Sequence, residues 1–127
     1  MYIYLGTLKH CMEPYVVDAY LDDYTGQFID AKDLPFEDKE RFISIPKYND
    51  KKIFWAYICQ LHDKQYKKIL ARQFDDPRFV SIFHDFIQVK GLYNDYHSFY
   101  RTETTRIAAE WCDLHNIKYT TRADERK

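Results

Sequence analysis

A chain of 127 residues with 46% hydrophobic and 18% aromatic side chains is long enough to bury a core without disulfides or a structural metal, and it reads as one domain. Its three glycines and four prolines argue against low-complexity disorder, and no apolar run approaches the ~20 residues that cross a bilayer. The formal charge of −1, from 19 Lys and Arg against 20 Asp and Glu, gives no strongly basic or acidic class. No basic run followed by an apolar core and a small-residue cleavage site stands near Met1, so a cytoplasmic protein is expected. Cys11, Cys59 and Cys112 are odd in number and lack a Cys-x-x-Cys spacing, which suits reduced thiols.

In chain order, Leu5, Leu8 and Met12 stand at helical spacing and predict a short helix over residues 2–12, although Tyr2-Ile3-Tyr4 alone would equally suit a strand. Pro14 ends that element. Residues 15–21, the turn-rich Asp22-Asp23-Tyr24-Thr25-Gly26 and the apolar Phe28-Ile29 predict a β-hairpin, and Arg41-Phe42-Ile43-Ser44-Ile45-Pro46 predicts a third strand ended by its proline. The period then changes. Asn49 or Asp50 can cap a helix with Ile53, Phe54, Tyr57, Ile58 and Leu61 on one face, and Asp63 can cap a second with Tyr66, Ile69, Leu70 and Phe74.

The stretch from Asp76 to Gly91 carries the fullest set of helix signals. Asp76 is read as its N-cap, Pro77 as its first helical residue and Gly91 as its left-handed C′ residue. Phe79, Ile82, Phe83, Phe86 and Ile87 then share one face, a stripe that contributes on the order of 10 kcal/mol before entropy is subtracted. A last helix is expected from Asn94 or Asp95 to about His115, with Tyr96, Phe99, Tyr100, Glu103, Ile107, Trp111 and Leu114 three or four apart. Asn116 follows as its C′ residue and Ile117 as the hydrophobic C″ contact. Residues 120–127 have little to bury and are expected to fray. The resulting fold class is α+β, a single domain over residues 1–119 with a small antiparallel sheet in its N-terminal third, covered by a layer of C-terminal helices.

These stretches resemble a bacterial group known as uncharacterised protein family 0158, over roughly residues 15–118. The likeness rests on Tyr20-Leu21-Asp22 followed by Thr25-Gly26, on residues 41–46, on the aromatic central helix, and on Ile107-Ala108-Ala109-Glu110-Trp111 leading to Asn116-Ile117. Members of that group typically carry a Gly-rich basic turn before the central helix and a Trp near the start of the last one. Here Gln73-Phe74-Asp75-Asp76 and Tyr96 occupy those places, which marks the chain as a divergent member. The resemblance implies the strand-then-helix order and implies no activity.

Three constellations are candidates for chemistry. Cys59-Gln-Leu-His62 and Cys112-Asp-Leu-His115 share a Cys-x-Leu-His pattern, and two helices bearing such pairs could offer zinc a tetrahedral shell, although i,i+3 pairs also arise by chance near helix ends. His84-Asp85 with Glu103 and Glu110 could form an acid-base cluster, but His84 and Asp85 fall opposite the core stripe and no nucleophile-base motif or phosphate-cradling loop accompanies them. The third is a basic-aromatic surface of Lys67, Lys68, Arg72, Arg78, Lys90, Tyr93, Tyr96 and Arg101. Residues 51–106 carry ten Lys or Arg against six Asp or Glu, whereas residues 1–50 carry five against ten. Such a surface suits either a nucleic acid or a protein interface, with some of the tyrosines as ordinary core residues. The pI near 6.5 and the lack of a nucleic-acid motif favour protein. The expectation is a non-enzymatic binding or adaptor protein without cofactor or metal that contacts another protein through this surface. A nucleic-acid binder is the alternative, and an enzyme or zinc-binding protein the second alternative.

Overall fold

A computed structural model describes residues 2–35 and 37–121, and the secondary structure of these residues is mixed α+β, with five α-helices and five short strands. Contacts divide the chain into two compact units, one drawn from residues up to Tyr48 and from Thr104 onward, the other spanning Asn49–Glu103.

The first unit begins with a strand, β1 (Tyr2–Tyr4), where a helix is expected; the helix, α1 (Leu5–Cys11), follows it directly, three residues later than expected. The reason lies at the far end of the chain. β1 pairs in parallel with β5 (Lys118–Thr120), setting Ile3 opposite Tyr119 and Tyr4 opposite Thr120. Ile3 is buried by this pairing while Tyr2 stays exposed beneath the Lys118 ammonium. Thr120, expected to open the frayed tail, is therefore a buried strand residue; residues 122–127 of that tail lie outside the described residues.

The hairpin forms from β2 (Ala19–Asp22) and β3 (Phe28–Asp30), and β4 (Phe42–Ser44) adds to its other side, giving a three-stranded antiparallel sheet in the order β3-β2-β4. Its first strand is shorter than the aromatic and β-branched run predicts. Tyr15 and Val17 are exposed, and the Lys47 ammonium donates to the carbonyls of Cys11 (2.8 Å), Val16 (2.7 Å) and Val17 (3.1 Å), so this segment is held as a loop instead. One charged donor satisfies three main-chain acceptors that no ladder reaches.

Asp22 anchors the turn of the hairpin. The Arg41 guanidinium donates through Nη2 to Oδ2 (2.6 Å) and through Nε to Oδ1 (3.1 Å), and the Tyr24 N–H reaches Oδ1 at 2.9 Å. Arg41 also lies 5.0 Å from the ring centroid of Tyr24 and 5.1 Å from that of Phe42, so its charge is held between two aromatic faces. The fork from Arg41, helped by the backbone donors, holds the Asp22 carboxyl down at about 2.

The second unit is helical. α2 (Asp50–Gln60) is capped by Asn49, whose side chain accepts from the Lys52 N–H, and α3 (Lys64–Gln73) by Asp63, which accepts from the N–H groups of Gln65 and Tyr66. Both caps are the expected ones. α4 (Phe79–Val89) starts later than the sequence suggests, because Asp76 closes a separate turn: its carboxylate accepts from the Arg78 N–H (2.8 Å) and its carbonyl from the Phe79 N–H (2.9 Å). At the other end Gly91 takes φ +69°, its N–H reaches the Gln88 carbonyl at 3.2 Å and the Leu92 N–H the Ile87 carbonyl at 2.7 Å, a complete Schellman closure. α5 (Tyr93–Leu114) ends the same way, with Asn116 at φ +56° and the Ile117 N–H on the Cys112 carbonyl at 2.8 Å.

Phe54, Tyr57, Ile58, Leu70, Phe79, Phe83, Ile87 and Tyr96 form the buried core of this unit. Phe83 is fully enclosed, stacked on Phe54 at 4.5 Å between ring centroids and edge-on to Tyr57 (6.1 Å) and Tyr96 (5.0 Å). Tyr57 is buried but its hydroxyl donates to Asp95 at 2.7 Å, so the one polar atom it brings inside is partnered. Two residues placed on core faces by periodicity lie outside: Ile69 is 41% and Leu114 81% exposed, each at the edge of its helix's buried stripe.

Replacing Phe83 by Ala is expected to lower stability by about 3 to 5 kcal/mol, since it removes a ring enclosed on every side and leaves a cavity among other rings; a denaturation midpoint equal to the parent's would contradict the packing described. The Asp22 clamp makes a second, pH-dependent prediction. A folded-state carboxyl at about 2 lies below the ordinary value near 3.9, so the clamp's stabilisation is fully present above pH ~4 and lost as pH falls towards about 2. Asp22→Asn should destabilise at neutral pH, and the gap to the parent should shrink through that acid window; a gap independent of pH would refute the assignment.

Candidate functional site

The residues expected to form a basic-aromatic surface all belong to the helical unit. Lys67, Lys68 and Arg72 lie exposed on α3, Arg78 precedes α4, Lys90 follows it, and Tyr93, Tyr96 and Arg101 are on α5. Tyr96 is a correction: it is 3% exposed and packs on Phe54, Tyr57 and Phe83, because the stripe of α5 that faces the core begins with it. Tyr93 is exposed, with its ring 4.2 Å from His97. Lys67 donates to the Cys59 carbonyl at 2.9 Å, and Arg78 pairs with Asp76 at 3.4 Å. Lys90 lies over the Tyr66 ring at 5.6 Å. Lys68 and Arg72 stand one turn apart on the exposed side of α3.

The distribution of charge is sharper than residue counts along the chain suggest. α2 carries Lys51 and Lys52, and α3 carries Lys64, Lys67, Lys68 and Arg72; the one carboxylate within the two helices is Asp50. Asp50 itself is unusual. Its Oδ1 is buried without a hydrogen-bond partner, burial pushes its carboxyl pKa up, and the charge of His84 acts in the opposite direction. His84, weighed above as a candidate acid-base residue, lies against the rings of Phe54, at 5.6 Å, and Phe83, at 5.8 Å, at the edge of the aromatic core. Asp85 is exposed, and Glu110 is engaged by Arg106 at 2.6 Å.

Between the start of α2 and the end of α3 lies a cleft of about 370 Å³ with largely apolar walls, lined by Asn49, Lys51, Lys52, Trp55 and Phe74. Trp55 is 43% exposed and packs on Phe74 at 4.8 Å between centroids, with the two ring planes tilted by 58°. The Lys51 ammonium sits 4.6 Å from the centroid of Phe74. Sequence reading did not single out this site. One signal was present: Trp55 is a large aromatic residue off the Ile53-Phe54-Tyr57-Ile58 stripe of α2, so periodicity alone leaves it without a buried position.

The two Cys-x-Leu-His pairs fall in different units, Cys59 and His62 in the helical one and Cys112 and His115 in the other. His62 lies beyond the end of α2, Cys59 is exposed, and Cys112 is a buried thiol that its surroundings push up to about 11. Among the described residues no group of three or more His, Cys, Asp or Glu side chains gathers in a geometry that could hold an ion. No helix among them is long and apolar enough to cross a membrane. Compared with family models, curated proteins and solved structures, the chain matches none.

Proposed function

We propose that this chain is a non-enzymatic binding or adaptor protein, a divergent relative of uncharacterised protein family 0158, that contacts an acidic region of another protein through the basic-aromatic side of its helical unit. The observation that carries the reading is the charge of α3: four of its ten residues are Lys or Arg and none is Asp or Glu. A helix this one-sided is attracted to a partner of opposite sign and repelled by one of the same sign, which gives selectivity before any close contact forms. The exposed aromatic rings of Tyr93 and Trp55 in the same unit supply the amphipathic contact area that protein interfaces favour.

The test is affinity capture from a bacterial lysate with the parent protein and with Lys68→Glu combined with Arg72→Glu. Both side chains are exposed, so the folded state and its melting midpoint should be unchanged. A reproducible protein partner retained by the parent and released by the double variant is the expected result. Equal retention by both would remove α3 from the interface, and capture of nucleic acid that falls away steeply with added salt would replace the reading with the nucleic-acid alternative.

A further inference from the structure

We infer that the cleft lined by Asn49, Lys51, Lys52, Trp55 and Phe74 is the specificity pocket of this surface, and that it takes a short acidic peptide segment of a partner protein that carries one large apolar side chain flanked by carboxylates. The inference rests on the proposed binding function and adds the place and the chemistry of recognition.

Three features of the cleft select that occupant. Its floor and walls are apolar, and its volume of about 370 Å³ lies at the small end of ligand pockets, which run from about 300 to 1,000 Å³. An apolar side chain is the group that gains by entering it. Its rim is cationic: Lys51 and Lys52 line it, and the first turn of α2 adds the positive end of an eleven-residue helix. Carboxylates beside the anchor would therefore meet positive potential on the side where the peptide backbone leaves the pocket. Two of the carboxylates near the lining residues are set apart from this rim: Asp50 has its Oδ1 buried, and Asp76 is held by the backbone and side chain of Arg78. Asp75 remains as an exposed neighbour of Phe74, and it would oppose a carboxylate approaching from that end. The apolar anchor then lies against Trp55 and Phe74, with its flanking carboxylates towards the ammonium groups of Lys51 and Lys52.

Nucleic acid is the weaker match to this geometry. The rings of Trp55 and Phe74 are tilted by 58° and pack on each other, so they form the corner of a pocket and not a pair of parallel platforms for successive bases. Lys51 already rests on the Phe74 ring and can turn outward to a carboxylate by rotation of its flexible stem.

The experiment is selection of a random dodecapeptide library on the immobilised full chain, followed by fluorescence anisotropy of the selected peptides, labelled, against the parent and two variants. The expected outcome is enrichment of sequences with an aromatic or large aliphatic residue next to two or more Asp or Glu. Their affinity should fall about tenfold or more for Lys51→Glu combined with Lys52→Glu, and also for Trp55→Ala, with each variant still folded by circular dichroism and melting cooperatively above the assay temperature. Replacing the peptide carboxylates by Asn and Gln should weaken binding to a similar degree. Selection of peptides lacking carboxylates, equal affinity for parent and both variants, absence of any enriched sequence, or tighter binding of a labelled random single-stranded oligonucleotide would each overturn the inference. If the pocket variants bind as the parent does while lysate capture still depends on Lys68 and Arg72, the pocket assignment fails and the proposed binding function stands. Loss of partner capture in neither set of variants removes both.

Discussion

The packing of Phe83 against Phe54 is the constraint on which the helical unit depends. With centroids 4.5 Å apart and planes nearly parallel, the two rings fix α4 against α2, and the edge-on contacts of Phe83 with Tyr57 and Tyr96 extend the same lock to α2 and α5. α3 joins through Leu70, fully buried, and through Phe74, whose ring meets Phe79 edge-on at 5.0 Å. Aromatic side chains suit this role because each buries a large area for the loss of only two rotatable bonds. Interlocking rings also leave few positions where a neighbour could shift without opening a void. The consequence reaches the surface: once Phe54, Tyr57 and Ile58 occupy the inner face of α2, Trp55 has no inward position and must lie outside, where it meets Phe74.

Much of this was legible because it is local. Asn49 and Asp63 cap their helices, and Gly91 and Asn116 adopt the left-handed conformation that ends them, through chemistry confined to four or six consecutive residues. The stripes of α2 and α4 follow from a period of 3.6 and need no knowledge of the partner helix. Asp76 shows the limit of local reading. Asp-Pro is a sound start signal, yet the same carboxylate can equally close a turn on the Arg78 N–H, and the geometry of the chain entering from α3 decides between the two. β1 was ambiguous for a different reason. Tyr2-Ile3-Tyr4 suits a strand as well as the start of a helix, and parallel pairing with Lys118–Thr120, which no local signal announces, decides for the strand.

The candidate basic-aromatic residues were legible as a composition and not as positions. An excess of Lys and Arg with interleaved aromatics can be counted, but whether a given ring is core or surface depends on its angle around the helix. Tyr96 and Trp55 exchange the roles that composition alone would give them. Tyr96 falls on the inner stripe of α5 and is buried, while Trp55 falls one position past the stripe of α2 and is exposed. The two Cys-x-Leu-His pairs make a related point, since i,i+3 spacing places two ligands on one face only while the helix lasts, and α2 ends at Gln60, before His62.

Electrostatics gives the cleft its direction. Lysines on α2 and α3 repel one another, so concentrating six cations on two neighbouring helices with one internal carboxylate costs stability that a random arrangement of charges would avoid. Part of that cost is relieved internally: Lys67 donates to the carbonyl at the end of α2, and Lys51 rests on the Phe74 ring. The remaining cations, Lys52, Lys64, Lys68 and Arg72, have exposed side chains, and their mutual repulsion would be lowered by any anion that approaches. An anionic partner of the kind proposed would therefore gain twice, from direct attraction and from relief of repulsion already present in the free protein. Because the Trp55-Phe74 contact exists in the chain by itself, little further ordering of the rings would be needed to receive an apolar anchor.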